Sequence, residues 1–326
     1  MEIINKTNCM VCENEGIVLY ENLQDKIFGA KGKWGLRQCT NKDCGLVWQN
    51  PMIAEGSISE IYNEYYTHQN IPQQNTKRTL KSILKQILKS LYNHMLCLLW
   101  IKKIRRKYYM MGLERDVPGK LLEIGAGDGS RLLEFKKNGW DVIGQEIDSK
   151  AIGVAKRKYN IQLLNDQITD ISLSHNSFDA IIMNHVLEHL LNPLEVINKC
   201  HQLLKPNGQL IFTTPNTQSL THKVFRRAWR GLEPPRHLYL FNISSLRKLM
   251  EKSDFLAEKV SIDTFSAEAQ YTVAASMELR DQKKHNATKP FSIQIVLKAI
   301  LFQFSRLIIS MANYRLNEFL ILKAFK

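Results

Sequence analysis

Between residues 115 and 265 the chain alternates short apolar runs with longer helical stretches, and this alternation restricts the fold more than any other feature. Short apolar runs predict buried strands, and apolar side chains at helical spacing predict the helices between them. The predicted strands are Lys120–Ile124, Trp140–Gly144, Phe178–Met183 and Gln209–Thr214. Strands that alternate with helices form a mostly parallel sheet covered on both faces, so the sequence predicts an α/β fold. Ligands bind such a sheet at the carboxyl ends of its strands.

A glycine-rich loop follows the first predicted strand. It reads Glu123-Ile-Gly125-Ala-Gly127-Asp-Gly129 and leads into a helix predicted from Ser130. Glycine lets the backbone turn sharply and approach a ligand that a Cβ atom would exclude. The second strand ends about twenty residues later, just before Glu146, where a carboxylate can accept hydrogen bonds from the ribose hydroxyls of an adenosine-containing cofactor.

The spacing of these glycines distinguishes between two candidate cofactors, NAD and S-adenosylmethionine. Dinucleotide-binding loops have the pattern G-x-G-x-x-G, whose helix N-terminus receives a pyrophosphate, whereas this loop has the pattern G-x-G-x-G. A carboxylate at Glu123 would repel a pyrophosphate but would attract the ammonium group of a methionine moiety. Spacing and charge therefore favour S-adenosylmethionine over NAD. A tight turn that binds no ligand is the remaining alternative.

Several motifs in this region resemble those of the class I S-adenosylmethionine-dependent methyltransferases. LLEIGAGDG followed by GQEID is similar to the first two motifs of that family, and Asn165-Asp166 resembles its adenine contact. SFDAIIMNHVLEHLLNP and LLKPNGQLIFTTPN resemble the fourth and fifth strands of the small-molecule branch. The similarity continues through Trp229-Arg-Gly231 and PRHLYLF, a segment common in relatives that modify ubiquinone precursors, sugars and envelope glycans.

This resemblance implies a Rossmann-like, seven-stranded, mostly parallel sheet that binds S-adenosyl-L-methionine. It also implies a role for individual residues. Glu146 would hold the ribose, Asp166 the adenine and Asn184 the sulfonium end of the cofactor. The residues expected on the methionine and ribose side are Glu123, Gly125, Ala126 and Gly127.

Methyl transfer to a hydroxyl also requires a base, and histidine has a suitable intrinsic pKa. The three candidates that follow predicted strands are His185, His189 and His237. A histidine near a helix start is often a capping or packing group instead, and this alternative stays open for each of them. Arg236 and Trp229 are alternative acceptor contacts, through ion pairing with an anion and ring stacking on a sugar.

Four cysteines near the N-terminus predict a structural Zn²⁺ site. Cys9 and Cys12 form one pair, and Cys39 and Cys44 form the second. Four thiolates suit a tetrahedral zinc, and a reducing cytosol disfavours disulfides. The pattern resembles a zinc ribbon, although its second pair encloses four residues where two are usual. A metal-free remnant or a redox pair is the alternative. Cys97 and Cys200 are predicted to be small core residues.

The net charge of +14 is concentrated in two segments that contain no acidic residue, Tyr65–Leu113 and Gln282–Asn317. Apolar residues at helical spacing run from Leu80 to Leu98, and Phe291–Met311 is apolar over most of its circumference. A basic amphipathic helix is typical of proteins that bind an anionic membrane surface. Packing on the protein or a homodimer contact explains the same pattern, so a peripheral membrane location and a dimer both stay open.

The sequence divides into a zinc-ribbon-like module at residues 1–65, a basic amphipathic helical linker at 75–112, and a class I methyltransferase domain at 113–326 with a helical insertion at about 285–312. The first hypothesis is methyl transfer to a hydroxyl of a sugar or lipid-linked envelope glycan. The second is methylation of a quinone precursor or lipid-like phenol. A hypothesis of another class, a zinc-containing nucleic-acid-binding protein, is disfavoured because the basic residues lie on apolar-striped helices. The start of the chain lacks an apolar signal core, which favours the cytoplasm.

Overall fold

The computed structural model describes residues 2–62, 101–113, 116–266, 269–281 and 291–326. The apolar stripe from Leu80 to Leu98 and Cys97 lie outside these residues. The strands in the described residues are β1 Ile3–Ile4, β2 Gly16–Leu23, β3 Trp34–Cys39, β4 Val47–Gln49, β5 Met52–Ile53, β6 Lys120–Ile124, β7 Asp141–Gln145, β8 Leu163–Leu164, β9 Phe178–Asn184, β10 Leu204–Pro215, β11 Tyr239–Leu240, β12 Val260–Phe265 and β13 Phe319–Phe325.

The helices of the same residues include α-helices and short 3-10 helices. The α-helices are α1 Ile101–Tyr109, α2 Ser130–Lys137, α3 Ser149–Tyr159, α4 Pro193–Leu203, α5 Leu220–Phe225, α6 Ile243–Glu251, α7 Ala269–Arg280 and α8 Ile293–Ala312. The 3-10 helices are Glu55–Tyr62, Leu187–His189, Arg226–Ala228, Arg230–Leu232, Ala257–Lys259 and Tyr314–Leu316.

A seven-stranded sheet forms the centre of the fold. Its strand order is β12-β13-β10-β9-β6-β7-β8. The pairs from β10 to β8 are parallel, and β13 runs antiparallel to both of its neighbours. The predicted α/β class and the mostly parallel, seven-stranded sheet are confirmed. The carboxyl ends of β6, β7 and β9 meet at one edge, which is where ligands bind in this architecture.

Strand β10 begins earlier than the predicted strand Gln209–Thr214. Lys205-Pro-Asn-Gly208 lies within β10, whose register against β9 shifts between Leu204 and Gln209. A Cβ atom at Gly208 would lie 2.9 Å from the Lys205 carbonyl oxygen and 3.0 Å from that of Phe178. The local turn is therefore folded into the strand as an irregularity that only glycine accommodates.

The N-terminal region forms a four-stranded sheet of order β11-β4-β3-β2. Its edge strand β11 comes from the segment after β10, with Tyr239 opposite Trp48. One hydrophobic cluster joins Cys9 and Trp48 to Leu187 and Phe241. The N-terminal sheet and the central sheet therefore share a core, while the predicted boundary at residue 65 stays a prediction.

Two helices, α7 and α8, connect β12 to β13 and contact each other. The sequence predicted a helix over Phe291–Met311, and the structure places α8 at Ile293–Ala312. Within the described part of the chain, no helix combines the length and the apolar character needed to cross a membrane.

Candidate active site

The glycine loop adopts a backbone conformation that favours glycine. Gly125, Gly127 and Gly129 have φ angles of 69°, 55° and 75°, in the left-handed region that L-residues rarely adopt. A Cβ atom at Gly125 would also lie 2.4 Å from a methyl carbon of Val186. The loop therefore brings bare backbone to the carboxyl end of β6, next to the segment that follows β9.

Glu146 follows β7 directly and is bonded to the same loop. One of its carboxylate oxygens, Oε2, accepts a hydrogen bond from the Gly127 amide at 2.8 Å. The other, Oε1, accepts from the amides of Ile147 at 2.8 Å and Asp148 at 3.0 Å. A carboxylate offers about four lone-pair sites, so these three bonds fix its orientation and leave room for a further donor. Burial raises the pKa of Glu146.

Glu123 is buried at the end of β6, with only 3% of its surface exposed. Its Oε1 lies 3.6 Å from Nε of Arg131, whereas its Oε2 has no hydrogen-bond partner. Burial raises its pKa to about 7, and Arg131 opposes this shift. A buried carboxylate oxygen without a donor is costly, and it is a suitable partner for a cationic ligand.

Gln145 connects two parts of the candidate cleft that sequence reasoning left separate. Its Oε1 accepts a hydrogen bond from the Gly125 amide at 3.3 Å, and its Nε2 donates to the Asp166 carbonyl oxygen at 2.7 Å. Asp166 itself is exposed and follows the two-residue strand β8. Ala126 donates its amide to the Gln145 carbonyl oxygen at 2.9 Å. The sequence signal that could have revealed Gln145 is a polar residue at the end of a buried strand.

Asn184 and His185 occupy the carboxyl end of β9. The Asn184 Oδ1 accepts a hydrogen bond from the Thr213 hydroxyl at 2.9 Å. His185 has a φ of 55°, an uncommon conformation for a residue with a side chain, and such strain is frequent at functional sites. Its Nδ1 lies 3.1 Å from Oε1 of Glu188, and its side chain is 34% exposed.

The Glu188 carboxylate is fully buried below His185. Burial alone would raise its pKa, but the hydrogen bond and charge of His185, together with His189 and His237, lower it to about 2. An ionised carboxylate only accepts hydrogen bonds, so Nδ1 of His185 is the donor. When the ring is neutral, this leaves Nε2 as its basic nitrogen.

His189 and His237 are brought together, with ring centroids 4.7 Å apart. His189 Nδ1 lies 3.1 Å from the Arg236 carbonyl oxygen, and His237 Nδ1 lies 2.7 Å from that of Gly231. Burial lowers both pKa values, that of His237 to about 4. Each ring is thus held by a backbone carbonyl, and His237 is only 5% exposed.

Arg236 and Trp229 do not present their polar groups to an acceptor. Arg236 is completely buried, with Nη2 2.8 Å from Asp25 and Nε 3.0 Å from Glu233. The Trp229 indole is also buried and donates to Glu318 at 2.7 Å. The alternative in which these two side chains bind the acceptor is therefore wrong. The sequence could not reveal Asp25 or Glu233 as partners, because the bonds depend on tertiary packing.

The four N-terminal cysteines converge as predicted. Their sulfur atoms all lie within 4.8 Å of one another, with Cys9 3.7 Å from Cys44 and Cys12 3.3 Å from Cys39. These separations exceed the disulfide bond length of about 2.0 Å. A tetrahedral zinc with bonds of about 2.3 Å places its sulfurs about 3.8 Å apart, so the cluster fits that ion. Cys200 is buried in α4, as expected.

A family model described as "Methyltransferase domain" matches residues 94–260, about half of the chain. The chain belongs to this methyltransferase domain family. The match covers the glycine loop, Glu146 and the candidate histidines, so the resemblance to class I S-adenosylmethionine-dependent methyltransferases is confirmed at the level of family and fold.

Among curated relatives of this methyltransferase-family chain are ubiquinone biosynthesis O-methyltransferases. The protein of Coxiella burnetii is 34% identical over 122 residues, which cover 36% of this chain and 51% of that protein. The protein of Cereibacter sphaeroides is 30% identical over 102 residues, which cover 30% of this chain and 41% of the relative. The chain thus spans about half the length of the curated relatives it matches.

Solved structures with similarity to this methyltransferase-family chain include a SAM-dependent methyltransferase from Archaeoglobus fulgidus. It has 20% identity and a TM-score of 0.46, and the alignment covers 70% of this chain and 93% of that one. Phosphoethanolamine N-methyltransferase 2 from Haemonchus contortus, in complex with S-adenosyl-L-methionine, has 18% identity and a TM-score of 0.45, with coverage of 68% and 52%.

Proposed function

We propose that this chain transfers a methyl group from S-adenosylmethionine to a hydroxyl oxygen of a small-molecule acceptor. The observation that carries the proposal is the pair of carboxylates at the glycine loop. Glu146 is held by the loop's own amide, and Glu123 presents a buried oxygen without a hydrogen-bond partner. Membership of the methyltransferase domain family supports the same function.

Each of these residues would hold a different part of the cofactor. The Glu123 carboxylate suits its ammonium group, and Glu146 suits the ribose hydroxyls. Asp166 lies beyond Glu146 along the same sheet edge and would contact the adenine, while Asn184 would lie near the sulfonium. Ala126 and the glycines Gly125 and Gly127 would form the wall of the cleft.

The bound cofactor supplies a methyl group already activated by its positive sulfur. The protein then has to align the acceptor oxygen with that carbon and exclude water. The cofactor would supply the methyl carbon to the acceptor oxygen and keep the sulfur–carbon bonding electrons on its sulfur, which would become neutral. The hydroxyl proton of the acceptor would pass to a base of this chain, so no further reactant would be needed.

His185 is the base that the geometry favours among His185, His189 and His237. Its ring is partly exposed, and its Nδ1 is fixed on the ionised Glu188 carboxylate. That bond orients the ring and leaves Nε2 to receive the acceptor proton. His189 and His237 pack behind Glu188 and would act as positioning residues.

Two acceptor classes fit this reaction. The first is a sugar or lipid-linked envelope glycan. The second is a quinone precursor or lipid-like phenol. The similarity to ubiquinone biosynthesis O-methyltransferases supports this class, and it also supports an oxygen atom as the acceptor. Both classes offer a hydroxyl, and both include molecules held at a membrane. No observation in the described residues favours the nucleic-acid hypothesis.

The cysteine cluster would hold one Zn²⁺ in a closed, structural site. All four sulfurs are close enough to serve as ligands, which leaves no open position for substrate. The site would join the segment before β2, which contains Cys9 and Cys12, to the turn between β3 and β4. Cys39 ends β3, and Cys44 precedes β4. Asn242 donates to the carbonyl oxygens of Cys44 and Gly45, and so ties this turn to α6.

The test is transfer of labelled methyl groups from S-adenosylmethionine to two acceptor preparations, an extract of envelope glycolipids and a catechol. We expect label in one of them with the wild-type protein. His185→Ala should reduce turnover at least a hundredfold while S-adenosylhomocysteine still binds, because general-base catalysis contributes about 10²–10⁴-fold.

His175→Ala is the matched control, because His175 is an exposed histidine outside the cleft. It should leave turnover unchanged. Normal turnover of His185→Ala would reject the assignment of the base. Absence of label in both preparations, despite cofactor binding, would reject both acceptor classes.

A further inference from the structure

Helix α8 carries apolar residues on two of its sides. Towards the protein, Ile295 and Phe302 pack against a hydrophobic cluster, together with the polar Gln303 and Arg306, which are 5% and 0% exposed. Other large apolar residues face outward, where surface helices normally carry polar groups. Among the side chains of α8 that the structure describes, the exposed large apolar ones are Ile293, Leu297, Leu301, Ile308 and Ile309, with 46%, 50%, 68%, 72% and 40% exposure.

The two faces of α8 are separated cleanly. At 3.6 residues per turn, Ile293, Leu297, Leu301 and Ile308 fall within an arc of about 80°. Ala299, Gln303 and Arg306 fall within an arc of about 60° on the opposite side. We call the first group, Ile293, Leu297, Leu301 and Ile308, the outer face.

Polar contacts fix this orientation. Arg306 donates from Nη2 to the Ser266 carbonyl oxygen at 2.9 Å, and its Nη1 lies 3.9 Å from Oε2 of Glu318. The other oxygen of Glu318 is held by Trp229. Rotating α8 to bury the outer face would carry a guanidinium away from a fully buried carboxylate, which is strongly unfavourable. Among the residues that the structure describes, nothing covers the outer face.

Helix α1 reaches the same part of the molecule. The Tyr108 ring stacks on Phe265 at 3.8 Å between centroids, and the next residue, Ser266, accepts the hydrogen bond from Arg306 of α8. Both helices thus meet at the end of β12. The exposed residues of α1 include Lys103, Ile104, Arg106 and Lys107.

The charges that α1 and α8 carry have one sign. Neither α1 nor α8 contains an acidic residue, and the exposed Lys298 lies at the edge of the outer face. Two copies of the chain joined through their outer faces would bring like charges together. An anionic lipid surface would instead pair with these cations while its acyl boundary covers the apolar side chains.

We propose that the outer face of α8 and the exposed cations of α1 form a docking surface for an anionic membrane. The helix lies in the interface without crossing it. This inference goes beyond the proposed methyl transfer and does not depend on it. It would bring the cleft close to an acceptor held in the membrane.

The test is co-sedimentation of the full chain with extruded vesicles of phosphatidylcholine and phosphatidylglycerol, at low and at high salt. The wild-type protein should pellet with these vesicles at low salt and much less with pure phosphatidylcholine. The double variant Leu301→Glu/Ile308→Glu should partition at least tenfold more weakly. Both side chains are exposed, so the fold should survive, as checked by thermal melting and by S-adenosylhomocysteine binding.

The matched control is Ile17→Glu/Val117→Glu, which adds the same charges at exposed apolar positions outside α1 and α8. It should bind vesicles within twofold of wild type. Wild-type protein that stays in the supernatant, or equal loss in both double variants, would overturn the proposal. So would a wild-type dimer, detected by light scattering, that only Leu301→Glu/Ile308→Glu dissociates.

Discussion

The carboxylates of Glu123 and Glu146 play different roles beside the same glycine loop. Both were predicted from their places at or just after the carboxyl ends of strands, because a parallel sheet brings those positions to one edge. Their partners were not predictable. Glu146 is satisfied by backbone amides, while Glu123 keeps a buried oxygen without a donor, and this difference depends on how Arg131 and the loop pack.

The raised pKa of Glu123 predicts that cofactor binding depends on pH. With a pKa of about 7, this carboxyl is largely protonated below pH 7 in the ligand-free protein. A bound ammonium group favours the ionised form, so binding must release a proton at low pH. We expect the affinity for S-adenosylhomocysteine to rise between pH 5.5 and 7, by up to about tenfold per pH unit, and to level off above pH 7.

Calorimetric titrations at several pH values, in buffers of different ionisation enthalpy, measure both the affinity and the proton release. Glu123→Gln should bind more weakly and lose the pH dependence. Glu134→Gln is a suitable control, since Glu134 is a carboxylate of α2 with partial exposure. An affinity that is flat from pH 5.5 to 8 in the wild-type protein would exclude an ammonium partner for Glu123.

His185 illustrates the limit of prediction for single side chains. Sequence reasoning named His185, His189 and His237 together, since all three follow strands or lie in the next loop. The structure distinguishes His185 by its bond to Glu188 and His237 by its burial. His185 also has a positive φ, which no pattern of residue types predicts.

At the scale of elements, strands with strong local patterns were predicted well. The predicted β6 agrees with the structure at both ends, because Leu121, Leu122 and Ile124 form a short, fully buried run. The two-residue strand β11 was not predicted, since it is defined only by its pairing with β4, far away in the chain. For α8 the periodicity predicts a helix. Which side of the helix faces the protein depends on the contact between Arg306 and Glu318, which periodicity does not reveal.

The cysteine turns predict one bound zinc per chain. Cys12→Ala removes one of four ligands, so metal analysis should show a fall from about one zinc per chain to near zero, together with a lower melting temperature. Cys200→Ala is the matched control, because Cys200 is buried in α4 outside the cluster. It should keep its zinc. Purified wild-type protein without zinc, after growth with the metal, would contradict the structural site.

At the scale of the whole molecule, the N-terminal sheet and the central sheet depend on each other. The sequence predicted two modules joined by a linker, and the compositional contrast between them is real. Yet β11 completes the N-terminal sheet, and Arg236 bonds to Asp25 across the same boundary. Such long-range pairings are invisible to local patterns. Arg306, which belongs to the second basic segment of the sequence, is buried.

The central claim is that the cleft at the carboxyl ends of β6 and β7 accommodates a sulfonium nucleoside. A crystal structure of the protein soaked in parallel with S-adenosylhomocysteine and with NADH tests it most directly. The account predicts S-adenosylhomocysteine in the cleft, with its ribose hydroxyls on Glu146 and its amino group on Glu123. Density for NADH in that place, with no S-adenosylhomocysteine bound, would contradict it.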